Sequence, residues 1–117
     1  MDPRSARGAG GEAAAAAWYA ARGFQVEARN WRCRAGEIDL VVARGALLVI
    51  CEVKTRLGHA FGGGFEAVGW EKQRKLQQLA ELFLADRAMT PDSVRFDVAS
   101  VASGGRGWTV EVFEDAF

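Results

Sequence analysis

An α/β domain with the element order helix, three strands, helix, two strands (αβββαββ) is the fold this sequence predicts. Three observations carry it: an alanine-rich run, "GEAAAAAWYAARGF"; two alternating apolar segments meeting at Arg44-Gly45; and a leucine stripe at helical spacing in "WEKQRKLQQLAELFLADRA". No internal repeat or low-complexity linker interrupts the order.

Residues 1–9 are glycine-rich and polar and are expected to form a flexible N-terminus, leaving residues 10–117 as a single domain. The alanine run has strong helix propensity, with Glu12 favourably near its N-terminus and Gly23 as a C-terminal stop. "FQVEARNWR" alternates apolar and polar residues, as an outer strand does. In "GEIDLVVARGALLVICEVKTR", residues 36–56, Ile38, Leu40 and Val42 fall on one face of a strand. Leu47, Val49, Cys51 and Val53 do the same on the next, and both sets form a core face. The glycine-rich "LGHAFGGGFEAVG" leads into an amphipathic helix whose stripe is Leu76, Leu79, Ala80, Phe83 and Leu84. Lys72, Arg74, Lys75 and Gln78 lie largely off that stripe. "SVRFDVASV" turns Val94, Phe96 and Val98 inward and leaves Asp97 at the surface or paired with Arg95. "SGGRG" then turns the chain into "WTVEVF", the last strand.

Composition narrows the function. The chain has 117 residues, half of them hydrophobic, which suits one compact core and not two. Fifteen basic residues balance fifteen acidic ones, so no overall field draws it to DNA, RNA or an anionic membrane, and any nucleic-acid contact must rest on local patches. Cys33 and Cys51 fall outside any CxxC pair and His59 is the only histidine, which disfavours structural zinc. Cys51 is expected in the core, and Cys33, between Arg32 and Arg34, as a partly exposed thiol. The start lacks a signal-peptide pattern and each apolar run is broken well short of membrane-spanning length. A soluble protein of the reducing cytoplasm, without membrane contact, is the expectation.

The charges of the central hairpin need explaining: Glu37, Asp39, Glu52 and Lys54 interrupt an otherwise apolar unit. If Arg44-Gly45 is a symmetric even-length turn, paired positions sum to 89, Glu37 faces Glu52, and Asp39 faces Ile50. Asp39 then lies diagonal to Glu52, roughly 7–8 Å away, on the face opposite the apolar set, with Lys54 beside them. An odd-length loop would separate them. Like charges so placed call for a cation, and Mg²⁺ or Mn²⁺ held by Asp39 and Glu52 would supply it. A metal that polarises a phosphate and acidifies water, with Lys54 orienting that water or steadying developing charge, is the chemistry of phosphodiester hydrolysis. The competing reading is an ordinary solvated sheet face. Val41, Leu48 and Ile50 count against it, because they share the charged face and require a cover, for which the first helix is the expected element.

Asp39 followed by Glu52-Val53-Lys54 resembles the active-site pattern of the PD-(D/E)XK nuclease superfamily. Together with "GEAAAAAWYAARGFQVEARNWRCRAGEIDLV", "CEVKTR", "FGGGFEAVGWEKQRKL" and "RFDV", nearly the whole chain resembles the YraN-like family of bacterial proteins, itself similar to archaeal Holliday-junction resolvases. The resemblance implies a restriction-endonuclease-like core, a mixed β-sheet flanked by helices, over residues 10–117. It implies Asp39 and Glu52 as metal ligands joined by the Val53 carbonyl, Lys54 as the catalytic lysine, and Glu12 as an acidic residue beside the metal. Without that context Glu12 reads as a charge on the helix dipole. Resolvase-like relatives also imply a homodimer. Ile38-Asp39 stands where the superfamily has Pro-Asp, which alters the approach to the aspartate and not its chemistry.

Candidate contacts to nucleic acid are Thr55 and Arg56 beyond the lysine, Lys72 at the start of the second helix, and Arg32 and Arg34 flanking a stretch in which Trp31 could stack on a base. A solvated basic strand and helix face with a core tryptophan is the plainer alternative, and for Arg74 and Lys75 it is preferred. His59 and Phe61-Gly62-Gly63-Gly64 would form a flap over substrate, or simply a loop. The function expected is a metal-dependent nuclease, an endonuclease or exonuclease, hydrolysing DNA, with branched or structured DNA as candidate substrate. Its rival is a non-catalytic module of nuclease-like fold that binds nucleic acid or protein.

Overall fold

The computed structural model describes residues 3–57, 68–104 and 107–117, with side chains from Gly10 onward. The elements are α1 (Pro3–Ala20), β1 (Gln25–Cys33), β2 (Gly36–Arg44), β3 (Leu47–Leu57), α2 (Trp70–Arg87), β4 (Ser93–Gly104) and β5 (Gly107–Phe113), in the predicted order. α1 begins at Pro3, earlier than the start near residue 10 that composition indicates; proline is at home in a first helical turn. It ends as expected, with Gly23 at φ +87° and the Phe24 N–H closing back on the Tyr19 carbonyl at 3.1 Å. His59 and the Phe61–Gly64 stretch lie outside the described residues.

The five strands form one mixed sheet in the order β1-β2-β3-β4-β5. Only β3 and β4, on either side of the α2 crossover, are parallel, and the other neighbours are antiparallel. The architecture is a mixed α/β core compatible with a restriction-endonuclease-like fold.

Both sheet faces are buried, each under its own helix. Leu40, Val42, Val49, Cys51, Ala99 and Val101 pack under Ala15, Ala16 and Tyr19 of α1. Val41, Leu48 and Ile50 pack under Leu76, Leu79, Ala80 and Phe83 of α2. The expectation that α1 covers this second face is therefore corrected. The apolar stripe of α2 is too wide to leave in water, since each fully buried leucine or phenylalanine gains about 1.5–3 kcal/mol.

The hairpin register also differs from expectation. Gly45 and Ala46 are the two loop residues, with Gly45 at φ +59°, so pairing runs from Arg44–Leu47 to Leu40–Cys51 and paired numbers sum to 91, not 89. A glycine at the first position of a two-residue loop suits the twist of a hairpin. Because the loop remains even, Asp39 and Glu52 still come together.

Asp97, assigned to the surface or to a pair with Arg95, is fully buried and does pair with Arg95. It accepts from the Tyr19 hydroxyl at 2.6 Å, from Arg95 Nε and Nη2 at 2.9 and 3.0 Å, and from the Asp115 N–H at 2.9 Å. A buried carboxylate is tolerable with so many donors. The network ties α1 and the C-terminal residues to β4.

Candidate active site at a fork in the sheet

Two irregularities open a cleft. The β2–β3 ladder ends at Leu40–Cys51, yet β2 stays with β1 as far as Gly36 and β3 stays with β4 as far as Leu57, so the two strands part. At the same level β1 and β2 switch faces. Ile38 joins the α2 cluster whereas Leu40, two residues on, joins the α1 cluster, although strict alternation would put them together. Asn30 marks the switch: it lies between Arg29, opposite Leu40, and Trp31, opposite Ile38, and has φ +50°, a conformation asparagine tolerates better than most residues. The expectation that Ile38 shares the face of Leu40 and Val42 is thus corrected.

Asp39 sits at this switch and stitches the fork. Its Oδ2 accepts the Val53 N–H at 2.9 Å, replacing the backbone carbonyl that would have continued the ladder. Val53 is thus tied to Asp39 through its amide. Glu52 follows Cys51, the last paired residue, and its side chain is almost enclosed. Together with Gly36, Glu37, Lys72, Lys75, Leu76 and Leu79 the two carboxylates line a cleft of about 340 Å³ between sheet and α2.

The two carboxylates also interact electrostatically. Burial, then the charge of Glu52, pushes the Asp39 carboxyl up to about 6, against a smaller opposing effect of the Val53 N–H. Glu12, from α1, reaches the same region: burial, then Asp39 and Glu37, raise it to about 7, partly offset by a hydrogen bond with Asn30 and by Arg29. Its Oε2 is buried and has no hydrogen-bond partner among the described residues. α1 comes this close because Gly10 and Gly11 face the sheet; a Cβ on Gly11 would lie 2.6 Å from Thr55 Oγ1 and 2.8 Å from Val101 Cγ2.

Of the residues expected to contribute, Asp39 and Glu52 share the cleft, and Glu12 comes near Asp39 from the α1 side. Lys54 is half-buried two residues beyond Glu52 on β3, and strand alternation gives it the same face. Lys72, about half exposed at the start of α2, turns its Nζ to Glu52 Oε1 at 3.2 Å. Thr55 lies against Gly11 under α1, and Arg56 is half-buried on β3. Arg32 and Arg34 are exposed, Arg32 pairing with Glu37 at 3.0 Å, but Trp31 packs edge-on against Phe83, 5.4 Å between ring centroids, and is a core aromatic. The sequence reading missed Asn30 as the hinge of the site and Lys72 as the partner of Glu52. An asparagine inside an alternating strand was the available signal for the first; nothing in the sequence marked the second.

Hard carboxylate oxygens suit Mg²⁺ or Mn²⁺. Among the described residues no three His, Cys, Asp or Glu side chains are grouped closely enough to hold an ion by themselves. Asp39 and Glu52 as a pair, with water and substrate oxygens completing the shell, match the usual protein share of an Mg²⁺ site.

The fold and site define a mixed α/β protein with an acidic, lysine-flanked cleft at a sheet fork. The chain belongs to the Uncharacterised protein family UPF0102, whose family model matches residues 11–101, a span that includes Glu12, Asp39, Glu52, Lys54 and Lys72. It is 48% identical over 102 residues to a UPF0102 protein of Frankia alni, covering 87% of this chain and 85% of that one. A UPF0102 protein of Symbiobacterium thermophilum is 48% identical over 100 residues, covering 86% and 85%. One from Rhodococcus jostii is 43% identical over 113 residues, covering 96% of each.

Proposed function

We propose that this protein is a metal-dependent nuclease that hydrolyses phosphodiester bonds of DNA, with branched or structured DNA as the candidate substrate. The observation that carries the reading is the fork itself: Asp39 fixed by the Val53 N–H beside Glu52, with Lys54 two residues further along the same strand. The unsatisfied Oε2 of Glu12 and the mutual repulsion of the carboxylates fit a site that gains a divalent cation. Asp39 and Glu52 are the ligands, and the bound metal would polarise the phosphate and lower the pKa of a water molecule. Lys54 steadies negative charge developing on the phosphate and holds the attacking water in line. Glu12, raised to about 7 by burial and then by Asp39 and Glu37, is suited to passing a proton to or from water near Asp39.

The test is cleavage of end-labelled single-stranded, duplex, flapped and four-way-junction DNA with Mn²⁺, Mg²⁺ or chelator. Product from wild type that disappears with chelator and with Lys54→Ala supports the nuclease. No product from any substrate rejects it.

The Glu52–Lys72 ion pair favours a second reading. A lysine that already neutralises one carboxylate leaves less need for a metal, as in a binding module of nuclease-like fold. That reading expects salt-sensitive DNA binding that survives Lys54→Ala without cleavage.

A further inference from the structure

Lys75 lines two hollows at once. One is the carboxylate cleft; the other, about 560 Å³, lies along α2 and is lined by Trp70, Glu71, Arg74, Lys75 and Gln78. Trp70 is 63% exposed and belongs to neither core cluster, so packing among the described residues does not explain its indole. The Arg74 guanidinium stands 5.7 Å from the centroid of that ring. Among the described residues, Glu71 is the one acid in the hollow, against Arg74 and Lys75.

We propose that Trp70, Arg74 and Lys75 bind an unpaired segment of DNA leading out of the cleft, with a base stacked on Trp70. This rests on the nuclease reading of the cleft and extends it to the form of the substrate. Charge complementarity selects the occupant: the two cations suit consecutive phosphates, and the exposed indole supplies what a sugar–phosphate chain alone would not use. The faces of bases in a duplex are covered by their neighbours, so only an unpaired base presents a surface to the ring. Lys75, shared by both hollows, provides the connection, placing a phosphate between the stacked base and the carboxylates. Glu71, in the first turn of α2, keeps the backbone to the Arg74–Lys75 side by repelling phosphate.

The experiment is fluorescence anisotropy of labelled single-stranded DNA, blunt duplex and single-stranded RNA in chelator at low salt, with wild type, Trp70→Ala, Trp70→Phe and Lys75→Ala. Wild type should prefer single-stranded DNA to duplex. Trp70→Ala should weaken that binding roughly tenfold, the stacking contribution of one base, while Trp70→Phe keeps most of it. Lys75→Ala should weaken both DNA forms alike and lower the salt slope by about 0.7–0.9, the signature of one lost phosphate contact. Circular dichroism of each variant checks the fold, which an exposed tryptophan does not support.

Single-strand binding that is unchanged in Trp70→Ala, or a preference for duplex or RNA, overturns the proposal. If cleavage of DNA still requires Lys54 and metal, the nuclease reading survives that failure. Conversely, Trp70-dependent binding without cleavage keeps this surface and removes the nuclease. No binding to any nucleic acid overturns the proposal.

Discussion

Asp39 crosses the fork between β2 and β3 to take the Val53 N–H at 2.9 Å, and the same carboxylate is pushed toward neutrality by burial and then by Glu52. Structure and charge therefore make opposed demands on one side chain. Asp39→Asn keeps an oxygen for the Val53 N–H and removes the repulsion, so at pH 8 without metal it should unfold at higher urea than wild type. Asp39→Ala leaves the amide without its partner, a loss of about 1–3 kcal/mol, and should be the less stable of the two. Both should lose Mn²⁺ binding by at least about 100-fold, since even outer-shell changes cost 10–100-fold. Urea titration and calorimetry with Mn²⁺ read the two effects separately.

The raised carboxyls predict an unusual pH dependence. Asp39 near 6 and Glu12 near 7 hold protons in the folded chain at pH values where the unfolded chain has released them. Their contribution is complete below the ordinary carboxylate range and is lost as pH rises through about 6 to 7. Metal-free protein should thus be more stable at pH 5 than at pH 8, where many proteins gain. Added Mn²⁺ should restore stability at pH 8 and do little at pH 5, where protons compete for the same oxygens. Thermal midpoints in chelator and in Mn²⁺ across this range measure it, and the double variant Glu12→Gln, Asp39→Asn should flatten the chelator curve.

The element order was legible because the chain changes hydrophobic period cleanly, from helical in the alanine and leucine runs to alternating between them. Even the misplaced hairpin loop did little harm: Gly45 is its first residue, and an even loop brings Asp39 to Glu52 in either register. What failed was the assignment of covers. Apolar residues on both faces of β2 and β3 demand two helices, but a strand does not state which helix comes from which side, and that depends on how α2 crosses between parallel β3 and β4. The face switch at Asn30 and Asp39 was hidden for a related reason. Alternation is read on a straight strand, and a left-handed residue breaks it without altering the sequence pattern. Asp97 shows the same limit: its pairing with neighbouring Arg95 was readable, whereas its burial depends on Tyr19, which packs from the far end of the sequence.

Lys72 offers a test of what neutralises Glu52. The ammonium lies 3.2 Å from Oε1 but is half exposed, so the pair itself contributes about 0.2–1 kcal/mol. Lys72→Ala should cost little stability. If a metal occupies the cleft, it must share or displace that ion pair, and the variant should bind Mn²⁺ about 1.4- to fivefold more tightly, the same energy expressed as affinity. Unchanged Mn²⁺ affinity would mean that Glu52 is not a ligand; weaker affinity would mean that the lysine helps assemble the site.

Gly11 sets the distance between α1 and the sheet. Elsewhere in a helix, alanine would be preferred to glycine by about 0.8–1.0 kcal/mol. Here the added methyl would lie 2.6 Å from Thr55 Oγ1 and 2.8 Å from Val101 Cγ2, contacts that neither short side chain can relieve by bending away. Gly11→Ala should therefore be net destabilising, by about 1–3 kcal/mol as for other overpacked positions, and not stabilising as propensity alone would have it. Thr55→Ala in the same chain removes the nearer clash and should recover part of the loss, leaving the Val101 contact. The consequence for the cleft is separable from stability. Glu12 is the next residue, so a helix pushed outward carries its carboxylate toward water and away from Asp39, and its upward shift, owed first to burial and then to Asp39, should shrink. The decline in stability between pH 5 and pH 8 should then be shallower in Gly11→Ala than in wild type, and steeper again in the double variant. A pH profile identical to wild type, with stability lost, would show that α1 yields elsewhere and that Gly11 serves packing alone.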